Sequence, residues 1–300
     1  MKELKKEDIV GILEARSPDS HKGSYGTVNA VVGSVSYRGA AVLAAMGMLR
    51  SGAGIVRVCS VERVCAAVID RYPSATLSVL KENSLGMISA ECCSLLLSIC
   101  RRPAVTLIGC GLGQSADTAA VVNTLVSGGS GGIVIDADGL NLLALSEGLE
   151  QVLSGRCAKD VGQCVITPHL GEMSRLTGRS IGELKADPEG AATEFSRRFG
   201  CVTVLKDHNT VIAAPGEDGV KTYISRFGNP GLARGGSGDL LAGLIAGFMA
   251  QGYTGEQSAL LGVLIHGLSA DSCAAERSMQ GMLPSDLDGY ICRLFRSLGY

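Results

Sequence analysis

Apolar positions along this chain follow two alternating spacings. Near-continuous apolar runs at residues 28–32, 55–59, 105–108, 133–135, 165–167 and 202–205 have strand length and the composition of strands covered on both faces. Between them, residues 39–51, 116–126 and 181–199 carry the longer period of helices, and Ser180 is placed to cap the last of these. Strands separated by helices are joined by crossovers, which predicts an α/β fold with a mainly parallel sheet and helices on both faces. The rhythm changes in the final third. Residues 210–213 and 221–224 flank a turn-rich segment at 215–219 and read as paired strands, and helical stretches follow at 238–250, 256–273 and 285–298. No internal repeat or low-complexity linker divides the chain, so a single domain over residues 1–300 is expected.

Composition narrows the function classes. Hydrophobic residues make up 46% and charged residues 19%, an ordinary globular balance. The formal net charge is −2 with no basic stripe, and there are 5 Phe and no Trp, which argues against a nucleic-acid partner and against a base-stacking platform. The apolar run at 240–250 is too short to cross a bilayer, and the N-terminus lacks a signal-like apolar core, so the expectation is a cytoplasmic protein without a membrane partner. The 11 cysteines include no C-x-x-C pair and no histidine at ligand spacing. They read as buried thiols rather than as a zinc site or a disulfide framework.

Open parallel sheets bind ligands beyond the carboxyl ends of their strands. Those positions here are polar or glycine-rich: Gly33-Ser34, Gly109 to Gly113, Asp136 to Asp138, Pro168-His169 and Lys206 to Asn209. A second signal comes later, where a loop from Gly228 through Gly231, Gly235, Gly236, Ser237 and Gly238 leads into a helix at Asp239. Free backbone N–H groups at a helix start, beside the positive end of its dipole, make an anion site that glycines let a phosphate approach closely. The spacing is not that of a P-loop, because no Lys-Ser/Thr follows the glycines. Asp239 is either a first-turn carboxylate or the base that accepts a proton from a substrate hydroxyl. The helix start is expected to stabilise its charge and so weaken it as a base. Lys206 is either a phosphate ligand or an exposed salt-bridging lysine. His169 and Glu172 suggest a polar cleft wall, His266 reads as a hydrogen-bonded core histidine, and the small residues of 36–58 read as close packing on the sheet.

Taken in order, eight segments resemble the ADP/ATP-dependent NAD(P)H-hydrate dehydratase family of the ribokinase-like superfamily. They are HKGSYG from His21, residues 39–58, IGCGLG ending at Gly113, VIDADGLNLL around Asp136, VITPHLGE around His169, VLKDHNTVI around Lys206, residues 228–252, and LGVLIHGLSAD around His266. The resemblance covers almost the whole chain. It implies a ribokinase-like three-layer α/β/α sandwich and repair of hydrated NADH or NADPH (the S-form of NADHX or NADPHX). In that repair, ADP or ATP phosphorylates the ring hydroxyl and phosphate is then eliminated. It further implies Asp239 as the base at the substrate hydroxyl. Ala40, Ala41, Gly111, Gly113 and His169 would be hydrate-binding positions. Lys206, Asp207, His208, Asn209 and Thr210, with Gly235, Gly236, Ser237 and Gly238, would form the adenine-nucleotide site. Mg²⁺ would accompany the phosphates, and a homotetramer is implied. The chain departs from the family pattern at Ser24, Cys110, Asp207 and Arg234, and it has no room for the epimerase domain fused in some relatives. A ribokinase-like small-molecule kinase, of the hydroxymethylpyrimidine or hydroxyethylthiazole type, shares the fold and the anion loop, and a non-catalytic nucleotide sensor is a third class.

Overall fold

The apolar runs assemble into one ten-stranded sheet. The computed structural model describes residues 1–101, 103–146, 153–155 and 163–300. Its strands are β1 (Lys2–Glu3), β2 (Thr27–Val31), β3 (Ile55–Val61), β4 (Thr76–Leu80), β5 (Val105–Ile108), β6 (Ile133–Ile135), β7 (Cys164–Ile166), β8 (Val202–Leu205), β9 (Thr210–Gly216) and β10 (Gly219–Ser225). They lie in the order β1-β10-β9-β8-β7-β6-β5-β2-β3-β4. Only β9 runs against the rest, paired antiparallel with β8 and β10. The expected antiparallel pair therefore forms, with Thr222 opposite Ala213. Strands β5 to β8 are apolar except for Thr106 and Thr203 and are buried along their length, because helices cover them.

Three differences from the sequence reading have local causes. The expected helix over 181–199 is two helices, Ile181–Ala186 and Pro188–Phe199. Pro188 cannot donate to a preceding turn, so it starts a helix instead, and Asp187 caps it by accepting from the Gly190 N–H at 2.8 Å. Ser180 caps the first helix as expected, accepting from the Glu183 N–H. Strand β4, an edge strand with Thr76 and Val79 exposed, lacks the continuous apolar run that marks its buried neighbours. Finally, Gly255–Arg277 is long and apolar enough to span a bilayer, which the run at 240–250 is not; 72% of its most apolar window is buried inside this fold. Eight of the ten cysteines among the described residues are buried.

The small residues of Arg38–Ser51 pack mainly against a helix rather than the sheet. A Cβ at Gly47 would lie 2.4 Å from the Leu240 carbonyl oxygen, and one at Gly243 would lie 2.3 Å from that of Ala44. Backbone therefore touches backbone between Arg38–Ser51 and Ser237–Ala250. The second helix lies over β2, β5 and β6, beside Gly255–Arg277. This contact holds the starts of both helices at the carboxyl ends of the central strands.

Candidate active site

Adjacent strand ends place four polar side chains side by side. Strands β5, β6, β7 and β8 are neighbours in the sheet, and the residues just beyond their ends are Cys110, Asp136, Thr167 and Lys206. The Asp136 carboxylate is 1% exposed. Its Oδ1 accepts from Thr167 Oγ1 at 2.6 Å and from Lys206 Nζ at 2.7 Å. Burial by itself would lower the Lys206 pKa, but the charges of Asp136 and Glu172 outweigh it and hold the ammonium protonated. Lys206 is thus neither a free phosphate ligand nor an exposed salt bridge. It is the part-buried counter-ion of Asp136, with one flank open to a cavity.

The Gly-rich loop closes over this cluster. Gly236, at φ 101°, occupies the left-handed region that lets the chain turn sharply into Ser237–Ala250 without a side-chain cap. The Gly238 and Asp239 N–H groups have no protein acceptor among the described residues and are free for an anion. A Cβ on Gly238 would lie 3.2 Å from Lys206 Nζ and 3.8 Å from Asp136 Oδ2. The loop itself is pinned from the next helix: Asp271 accepts from the Gly228 N–H at 2.9 Å and from Asn229 Nδ2 at 3.0 Å.

Asp239 differs from the sequence expectation. Burial, then the neighbouring Asp136 charge, pushes its pKa up to about 6, against the pull of the Cys110 thiol and Lys206. The helix start does not make it a weak base, because desolvation and a like charge outweigh the dipole. Cys110, fully buried with Sγ 3.7 Å from Asp136 Oδ2, is held well above the ordinary thiol range by burial and by both carboxylates, so it is a neutral donor.

The expected site residues fall into two groups on either side of Gly238. A cavity of about 680 Å³ is lined by Lys206, Asp207, His208, Thr210, Ser237 and Gly238, together with His169, Arg234 and His266. Asn209, Gly235 and Gly236 stand outside its lining. Asp239 points the other way, towards Cys110 and the loop after β5. In that loop a Cβ on Gly111 would meet Ala40 Cβ at 2.6 Å, so Gly111 and Ala40 are in contact. Ala41 is fully buried beside Gly33, so of the pair only Ala40 is open to a ligand. Gly113 is buried, and its N–H donates to Asp138 Oδ2 at 2.9 Å. His169 caps the Leu170–Thr177 helix: its Nδ1 accepts from the Gly171 N–H at 2.9 Å, and Glu172 Oε2 accepts the His169 N–H at 2.8 Å. Burial raises the Glu172 carboxyl to about 7. His266 is buried as expected, yet its Nε2 has no hydrogen-bond partner among the described residues, which overturns its reading as a satisfied core histidine. Sequence reasoning placed Asp136 at a ligand-facing strand end without giving it a role, and did not single out Asp271. Asp136 carried a signal, its place beyond a buried strand, whereas Asp271 is recognisable only once the loop is seen against its helix.

Cys110, Asp136 and Asp239 have ligand atoms within 4.8 Å of one another. Mg²⁺ takes oxygen donors and is usually held by one or two carboxylates plus phosphates. The site fits it through Asp136 Oδ2, the oxygen not bonded to Lys206. A thiol adds nothing for a hard cation.

Fold and site together define a ribokinase-like α/β enzyme with a glycine-rich loop at the carboxyl edge of its sheet, and the fold is shared with a solved ribokinase-like protein of Enterococcus faecalis. The family model for NAD(P)H-hydrate dehydratase matches residues 28–293, and the chain belongs to that family. It is 32% identical, over 87% of its length and 81% of the relative's, to the ADP-dependent (S)-NAD(P)H-hydrate dehydratase of Neisseria meningitidis. It is 34% identical, over 95% of its length, to the bifunctional NAD(P)H-hydrate repair enzyme of Thermofilum pendens, but covers only 53% of that protein. The chain thus spans about half the length of the bifunctional relatives it matches. Among solved structures it resembles the ADP/ATP-dependent NAD(P)H-hydrate dehydratase of Bacillus subtilis co-crystallised with ATP and Mg²⁺, with a TM-score of 0.80 and 27% identity over 98% of this chain and 97% of the other.

Proposed function

We propose that this chain catalyses the ADP- or ATP-dependent dehydration of the S-form of hydrated NADH and NADPH. The observation that carries the reading is the position of Asp239 at a helix start. Its carboxylate points towards Cys110 and the loop that holds Gly111, while the amides and cavity on the other side of Gly238 suit a nucleotide. Asp239 takes the proton from the ring hydroxyl, whose oxygen attacks the terminal phosphorus of the nucleotide. The bond from that phosphorus to the bridging oxygen breaks, releasing AMP or ADP. The nitrogen lone pair of the ring then drives cleavage of the carbon–oxygen bond. Phosphate departs with the electron pair, and loss of a proton from the adjacent carbon restores the ring double bond.

The residues divide the work by charge. Lys206, neutralised by Asp136, places an N–H donor beside the phosphate path without adding a net positive charge, and the Gly238 and Asp239 amides steady the transferring phosphoryl group. Mg²⁺ bound with the nucleotide neutralises phosphate charge, and Asp136 would hold it. The enclosed position of Asp239 keeps its basicity near neutral pH, where it is both ionised and able to accept a proton. Incubation with the S-form of hydrated NADH and ADP or ATP tests the proposal. The absorbance of the reduced nicotinamide should return as phosphate is released. A phosphorylated small molecule accumulating in place of a restored dinucleotide would instead assign the chain to the kinases.

A further inference from the structure

Two cavities lined by described residues differ in whether their polar groups already have partners. One, of about 920 Å³, lies at the far ends of Arg38–Ser51 and Ser237–Ala250. There Arg16 stacks on Tyr25 at 3.9 Å and donates to the Gly52 carbonyl, Arg50 is held by both oxygens of Asp288, and Tyr300 Oη donates to the Leu13 carbonyl at 2.7 Å. These arginine and tyrosine groups are satisfied within the chain. The cavity beside Gly238 is different.

Two of its lining groups are buried without a partner. His266 is 7% exposed and Ser237 6% exposed, and neither His266 Nε2 nor Ser237 Oγ has a hydrogen bond among the described residues. They are therefore not bonded to each other. An orphaned polar atom in an enclosed site destabilises the fold unless something else supplies its partner. His266 is set in a helical stretch that is otherwise apolar, where leucine would pack without that penalty. The next residue explains the placement: a Cβ on Gly267 would lie 2.8 Å from Phe227 backbone atoms, so the helix and the start of the Gly-rich loop meet at this turn. The turn therefore presents His266 to the same space as Gly228, Ser237 and Gly238.

We propose that His266 is a nucleotide-binding residue whose Nε2 hydrogen-bonds a phosphate oxygen of the bound adenine nucleotide at the loop end of this cavity. The inference rests on the nucleotide reading of the cavity and adds to it a ligand-contacting side chain from the Gly255–Arg277 helix. The phosphate end is favoured over the nucleoside end because His266 lines the same cavity as Lys206, Ser237 and Gly238 and lies within the field of the Lys206 ammonium. Burial, with that ammonium, lowers the imidazole pKa to about 4, so it is neutral at physiological pH and offers one N–H. A neutral donor serves a site that already contains the Lys206–Asp136 pair.

His266→Leu tests this with two readouts of opposite sign. Replacing an unsatisfied polar side chain by an apolar one should leave the unliganded Tm unchanged or higher. The ADP affinity measured by calorimetry with Mg²⁺ should fall by about tenfold, the loss expected for one hydrogen bond to a charged group. A lower Tm with unchanged ADP affinity would show a packing role and overturn the proposal. Absence of saturable ADP binding in the unsubstituted protein would sink the nucleotide reading itself. Nitrogen NMR of the unsubstituted protein decides the case if the variant folds poorly. The His266 Nε2 signal should move on addition of ADP but not of adenosine, and a signal indifferent to ADP, or equally sensitive to adenosine, refutes the phosphate contact.

Discussion

Replacing Asp239 by Asn removes the charge and the base while keeping the side chain's shape, and the structure predicts opposite effects on activity and stability. Turnover should fall by at least about a hundredfold, the scale of general base catalysis, with nucleotide binding retained. The stability effect follows from the raised pKa. Asp239 titrates at about 6 in the fold and at the ordinary 3.8 in the unfolded chain. Its ionisation therefore opposes folding: the penalty is absent below 3.8, grows between 3.8 and about 6, and is complete above it. That interval corresponds to about 3 kcal/mol, reduced to about 1–2 kcal/mol because the side chain is only partly covered and water screens it. Denaturant melts of the two proteins should show the Asn variant more stable by that amount at pH 8 and equal at pH 4. A variant less stable at pH 8, or one retaining near-normal turnover, would refute the placement of Asp239 as a desolvated base. The unsubstituted enzyme should lose activity as pH falls through about 6, where the base is protonated.

Two other substitutions test the scaffold. Lys206→Met leaves Asp136 buried without its counter-ion and should cost about 3–5 kcal/mol. The double variant Lys206→Met with Asp136→Asn should recover most of that loss in urea melts, and a double variant no more stable than the single would show that the pair is not coupled. Gly243→Ala puts a Cβ 2.3 Å from the Ala44 carbonyl oxygen, where only backbone can yield. It should destabilise the fold by about 1–3 kcal/mol and, by parting the helices that carry Ala40 and Asp239, raise KM for the hydrate more than KM for the nucleotide. Equal rises in both would show that the two halves of the site do not move separately.

Much of this molecule is determined locally, and local features are what a sequence displays. The parallel sheet is legible because strands buried on both faces are largely apolar along their length, and the Gly-rich loop is legible because close approach to a helix start demands glycine. The helix break at Asp187-Pro188 was equally local and could have been read from the proline. Three features required the assembled fold. Asp136 became the centre of the site because the sheet order sets β6 between β5 and β7, with β8 next in line. This brings Cys110, Thr167 and Lys206 to one carboxylate from positions up to 96 residues apart. The basicity of Asp239 depends on burial and on a like charge, neither of which its neighbours in sequence reveal, so the dipole rule alone pointed the wrong way. His266 lacks a partner only because of what surrounds it. Composition and periodicity set which residues are buried, but whether a buried polar atom is satisfied is decided by chain segments that are distant in sequence.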